Sequence, residues 1–137
     1  MNRIVLISCV KRKANYRCKA EHMYQSELFK KCLKYGRSRI PHKVLILSAK
    51  HGVLELDDEI EPYDETLNRM PIADVKKWAD RVLKQLQSIC DVSNHEFVIL
   101  ASDRYRRFIV PHLARYEIPM EGLRIGQQLQ FLKEKAV

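Results

Sequence analysis

Three uninterrupted apolar runs constrain this chain more than any other feature: Ile4-Val5-Leu6-Ile7, Val44-Leu45-Ile46-Leu47 and Phe97-Val98-Ile99-Leu100. Runs of strand length without polar alternation are covered on both faces, as in a parallel sheet. They predict strands over 3–8, 43–48 and 96–101. Helical patterns fill the gaps. Ser26 is a good N-cap for a helix that buries Leu28, Phe29, Cys32 and Leu33, and Gly36 is placed to end it. Pro71 and Asp74 suit the first turn of a second helix with Val75, Ala79, Val82, Leu83, Leu86 and Ile89 on one stripe. Ser102 or Asp103 caps a third helix bearing Tyr105, Phe108, Ile109 and Leu113, in which Pro111 forces a kink or an early break. Pro119 to Ile125 reads as a fourth strand, and Gln127 to Lys135 as a last helix. Strands alternating with helices of this length mean βαβ crossovers, hence an α/β fold with helices on both faces of a parallel sheet.

The chain has 137 residues, which predicts one domain over 1–137. No apolar run approaches the roughly 18 residues of a membrane span, and residues 1–8 read as a strand, too short for a signal peptide. A cytoplasmic protein without a membrane partner is expected. Cys9, Cys18, Cys32 and Cys90 form no CxxC pair and no metal spacing, so reduced thiols and no metal are expected. Charge is unevenly placed. Residues 1–50 hold 13 Lys and Arg against 2 Asp and Glu, residues 51–75 hold 1 against 8, and the whole chain is at +8. A basic first third beside an acidic central segment predicts a cationic surface for phosphate-bearing partners, a nucleotide or a nucleic acid.

Several chemistries are excluded by absence. No GxGxxG follows the first strand, there is no GxxxxGK[ST], and GxSxG and HExxH are missing. No cofactor is therefore expected, and a site built from loop residues at strand ends remains. Directly after the second strand comes Ser48-Ala49-Lys50-His51-Gly52, then an acidic run ending in Pro62-Tyr63-Asp64. In open α/β sheets ligands bind beyond the carboxyl ends of the strands, where this cluster falls. It reads equally as a tight turn in which Gly52 supplies a positive φ while Lys50 and His51 are solvated.

The ordered set Ile7-Ser8-Cys9 with Lys11 and Lys13, Tyr24-Gln25-Ser26, Leu47 to Gly52, Glu61 to Asp64 with Thr66-Leu67, Ala101 with Tyr105, and Gly122 to Gly126 resembles a bacterial and phage domain family of unknown function. The strand-one signature is similar to a domain of archaeosine synthase and related tRNA-modification enzymes. More loosely, the chain resembles the peroxide-stress protein YaaA and the uracil-DNA glycosylase-like fold, whose own catalytic motifs are not matched. The resemblance implies a three-layer sandwich with a four-stranded parallel sheet in the order 2-1-3-4.

For a nucleotide ligand, Ser8, Lys11 and Lys13 offer hydroxyl, ammonium and backbone donors to a phosphate, and Ser26 adds a helix N-terminus. Tyr24 and Tyr63 are placed to stack a base or to pack half-buried. Cys9 is a nucleophile beside two lysines or a small core residue. Ser48 and Tyr105, members of the resembling set, complete the expected substrate-binding residues. Cleaving an N-glycosidic bond builds positive charge on the sugar and negative charge on the leaving base. Asp64 answers the first and the Lys50/His51 pair the second, unless Asp64 merely fastens its loop through an ion pair with one of them. N-glycosidic hydrolysis or base exchange is the expected activity, with a non-catalytic nucleic-acid-binding module as the alternative.

Overall fold

The structure is a computed structural model and describes residues 2–135. The chain runs β1 (Arg3–Ser8), β2 (Cys18–Lys19), α1 (Ala20–Met23), α2 (Glu27–Ser38), β3 (Lys43–Ser48), β4 (Gly52–Glu55) and β5 (Glu59–Ile60), then α3 (Ile72–Ile89), β6 (Glu96–Leu100), α4 (Asp103–Arg106), β7 (Arg115–Glu117) and α5 (Ile125–Lys135). The three apolar runs lie side by side. β1 is central, pairing in parallel with β3 (Val5 opposite Val44) and with β6 (Val5 opposite Val98). β7 adds in parallel to β6, and β4 folds back antiparallel on β3, giving the sheet order β4-β3-β1-β6-β7. Ile4, Val5, Leu6, Leu45, Ile46, Leu47, Phe97 and Val98 are fully buried, as a sheet covered on both faces requires.

Crossover handedness distributes the helices. From β1 the chain moves one way to β3, and from β3 it moves the other way, past β1, to β6. Right-handed crossovers therefore put α2 on one face and α3 on the other. The contacts agree: α2 rests on β1 and β3 and carries α5 on its side, whereas Trp78 of α3 meets Tyr105 of α4 edge to face, ring centroids 5.6 Å apart. The chains leaving β1 and β6 thus diverge to opposite faces, opening a crevice beyond the carboxyl ends of these neighbouring strands.

Three expectations are corrected. The sheet has five strands, because the residues after Gly52 form an edge strand in a hairpin with β3. The strand expected over Pro119 to Ile125 is a turn with Gly122 at φ +81°, and the strand beside β6 is β7, a few residues earlier. Helix α2 continues past Gly36 to Ser38, since that glycine meets the sheet and does not cap the helix: a Cβ there would lie 2.9 Å from Val5 Cγ1. Pro111 breaks the third helix early, as expected. α4 stops at Arg106 and Pro111 sits in a 3-10 turn over Val110–His112.

The acidic segment is folded back over the strand ends. β2 and β5 pair antiparallel, Cys18 opposite Ile60. Ala20 N–H donates to Asp58 O (2.7 Å) and Glu21 N–H to Leu56 O (3.1 Å), tying this segment to the loop after β1.

Candidate functional site

A cleft of about 460 Å³ occupies the crevice between the ends of β1 and β6. That volume falls in the range of small-molecule sites. The end of β1 and its loop supply Ser8, Cys9, Lys11 and Lys13. The segment before α3 supplies Asp64, Thr66 and Arg69, and α4 with its N-cap supplies Tyr105 and Ser102. These residues are remote in sequence and meet only because the sheet reverses its winding here.

Tyr63 anchors the arrangement. It is 7% exposed, and its hydroxyl accepts from Ser48 Oγ (2.8 Å) and shares a 2.6 Å hydrogen bond with Tyr24 OH. Burial pushes both phenols far above their ordinary ionisation range, so they stay neutral. Ser48, fully buried, also accepts from His51 N–H (3.0 Å), and its carbonyl accepts from the Trp78 indole (2.8 Å). This chain of hydroxyls ties the acidic segment to the end of β3. Asp64, the next residue, is exposed on the cleft wall and makes no hydrogen bond or ion pair with the described residues. The loop-fastening role therefore belongs to Tyr63 and not to Asp64.

Lys13 also lines the cleft, held by a bridge between its backbone and that of Tyr24. Its ammonium lies 4.6 Å from the centroid of the Tyr63 ring, a cation–π contact that places charge at the cleft mouth. Lys11 and Arg69 also line the cleft, and neither side chain has a partner among the described residues. The floor is a hydroxyl and a thiol. Tyr105 OH accepts from Leu67 N–H (3.3 Å) and from Cys9 Sγ (3.4 Å), and lies 3.5 Å from Thr66 Oγ1. Burial raises the Tyr105 phenol to about 12, so it is a neutral hydroxyl at physiological pH. Arg104 clamps the wall by donating to Leu67 O (2.9 Å) and to Met70 O.

The expected site residues divide into three groups. Ser8, Cys9, Lys11, Lys13, Asp64 and Tyr105 meet in the cleft. Tyr24, Ser48 and Tyr63 lie behind it as a buried hydroxyl chain and present no open face for a base. Ser26 caps α2 by accepting from Phe29 N–H (3.1 Å) and does not line the cleft. Lys50 and His51 are not brought to it either. The turn that carries them is held toward α3, where Arg81 donates to Lys50 O (2.8 Å) and Gln85 to His51 O (3.1 Å). Gly52 closes the turn at φ +77° so close to Gln85 that a Cβ would sit 2.1 Å from its Oε1. His51 packs edge-on against Tyr63, centroids 5.5 Å apart, and its buried Nε2 has no hydrogen-bond partner among the described residues. Burial first, and the Lys50 charge next, lower its pKa, favouring the neutral ring.

Sequence reading gave no place in the site to Thr66, Arg69 or Ser102. Arg69 carried a signal, as the one cation in the acidic stretch 51–75. Ser102 was read as a cap, yet its hydroxyl makes no capping bond and is left to the cleft. Among the described residues no cluster of three or more His, Cys, Asp or Glu is placed to hold a metal ion, and no helix is long and apolar enough to cross a membrane. All four cysteines are free thiols. A family model described as a family of unknown function (DUF6884) matches residues 4–134. No curated protein matches the chain.

Proposed function

Since the chain belongs to this family of unknown function, we propose from the cleft itself that the protein binds a nucleotide unit there and hydrolyses, or exchanges, its N-glycosidic bond. One observation carries the reading. The Asp64 carboxylate and the cations Lys11 and Arg69 line one nucleotide-sized crevice, and none of the three side chains has a partner among the described residues. Lys11, Arg69 and the Lys13 ammonium hold the phosphate, with Ser8 and Ser102 adding hydroxyl donors. Asp64 lies against the sugar. As the C–N bond lengthens, the carboxylate stabilises the cationic sugar and orients a water whose oxygen bonds to the anomeric carbon. The water's proton passes through Asp64 or solvent to the departing base. Tyr105, neutral and at the floor, donates a hydrogen bond to the base or sugar. Lys50 and His51 take no step, and His51 instead backs Tyr63.

The parallel strands β3-β1-β6-β7, with β4 as an added edge, support reading the fold as a uracil-DNA glycosylase-like sandwich of order 2-1-3-4. The second reading, a binding module without chemistry, is favoured by the cationic first third alone.

Free base released from nucleoside monophosphates and mixed-sequence oligonucleotides, separated by chromatography, tests the reaction, and labelled free base added to the mixture detects exchange. Asp64→Asn should lower base release by about 10²-fold or more while stability stays within about 0.5 kcal/mol of wild type. Substrate bound but never cleaved by the wild type favours the module. An Asp64→Asn protein as active as the wild type overturns the mechanism.

A further inference from the structure

We propose that the substrate is a single-stranded polynucleotide, whose backbone runs along the exposed face of α2 before entering the cleft. This rests on reading the cleft as a nucleotide site. Two shallow grooves flank that face. One is lined by Arg12, Lys30 and Lys34, and the other by Tyr16, Lys30, Lys34 and Arg37, so Lys30 and Lys34 join them. Arg12 lines the first groove, and its sequence neighbours Lys11 and Lys13 line the cleft, so the groove lies one residue from the cleft along the chain. Cationic side chains thus recur from Arg37 through Lys34, Lys30 and Arg12 toward the cleft, and the two carboxylates of these grooves, Glu21 and Glu27, are taken up by Arg37 and Lys31.

The charges along this path are unevenly matched. Lys31 pairs with Glu27 and Arg37 with Glu21. Arg12, Lys30 and Lys34 have exposed side chains without partners among the described residues. Lys30 and Lys34 stand four residues apart, where like charges weaken a helix. An anionic polymer relieves that repulsion. From Lys30 to Arg37 the path follows about 10 Å of helix axis, longer than a single phosphate needs. Tyr16, 61% exposed at the far groove, supplies a ring on which an unpaired base can stack. Cationic track and open aromatic together fit a single strand.

Fluorescence polarisation of a labelled mixed-sequence single strand, titrated from 50 to 300 mM salt, tests the path with Lys30→Ala/Lys34→Ala and Tyr16→Ala. Neither variant touches the cleft. The double variant should bind at least tenfold more weakly, with a log–log salt slope shallower by about 1.4, the value for two phosphate contacts on a single strand. Tyr16→Ala should weaken binding at least fivefold. Base release from a free mononucleotide should be unchanged in both. Unaltered affinity and slope in the double variant overturn the proposal. So does a wild type that ignores the oligonucleotide yet sediments with phosphatidylserine vesicles in a lysine-dependent way. Lysine-dependent oligonucleotide binding without base release from any substrate instead overturns the reaction proposed above and leaves the track in place.

Discussion

Tyr63 and Asp64 are adjacent and do different work. The Tyr63 hydroxyl sits between Ser48 Oγ and Tyr24 OH at 2.8 and 2.6 Å in the interior, whereas the Asp64 carboxylate meets no partner among the described residues. Removing the Tyr63 hydroxyl leaves two buried hydroxyls short of a partner, at about 1–3 kcal/mol. Tyr63→Phe is therefore expected to lower the urea midpoint clearly, whereas Asp64→Asn leaves it in place and removes turnover. Equal midpoints for Tyr63→Phe and wild type would mean that the acidic segment is held by β2, β5 and their neighbours alone. The same two residues show what a sequence can tell. The motif that holds them was readable, and so was the meeting of Lys13 and Asp64 in one cleft. Their division of labour was not, because which side chain turns inward depends on Ser48 and Tyr24, 15 and 39 residues away. His51 was misplaced for a similar reason: its turn is aimed by Arg81 and Gln85 on α3, which no pattern around residues 48–52 foreshadows.

At the scale of elements, β1, β3, β6, the Ser26 cap and the stripe of α3 follow from apolar runs and helical spacing. Strands β2 and β5, two residues each, carry too little sequence for any period to register, and they exist through their partners. β7 is Arg-Tyr-Glu on a sheet margin, without the apolar content that marks the central strands, so the apolar residues downstream drew the reading away from it. Gly36 separates the two ways of reading α2. As a mid-helix glycine with open space, its replacement by alanine would stabilise the protein by up to about 1 kcal/mol through helix propensity. The structure instead presses it onto β1, where the added methyl meets the short, stiff side chain of fully buried Val5 at 2.9 Å. Overpacking of this kind costs about 1–3 kcal/mol and outweighs the propensity gain. Gly36→Ala should thus melt earlier than wild type, and a higher melting temperature would show that α2 can lift from the sheet at no cost.

For the molecule as a whole, the cleft is a consequence of topology. Its walls come from the loop after β1, the segment before α3 and the start of α4, three stretches joined mainly by the hydroxyl chain around Tyr63, the Tyr105 contacts and the Arg104 clamp. The cations Lys11, Lys13 and Arg69 and the carboxylates of Asp64 and Glu65 share that space without forming ion pairs. Such walls gain most from a ligand that is anionic at one end and neutral at the other, since it bridges the stretches and gives the cations a partner. Occupancy therefore couples to global stability. A nucleoside monophosphate present at 100 times its Kd should add about 2.7 kcal/mol, raising the melting temperature of a chain this size by roughly 8–10 °C. The shift should persist in Asp64→Asn, which keeps the phosphate contacts, and should collapse in Lys11→Ala/Arg69→Ala, which loses two of them. The free nucleoside should shift the melt far less than its monophosphate. Equal shifts for the two would place the binding energy in the base and sugar alone, against a cationic phosphate site, and the absence of any shift would remove the nucleotide from this cleft altogether.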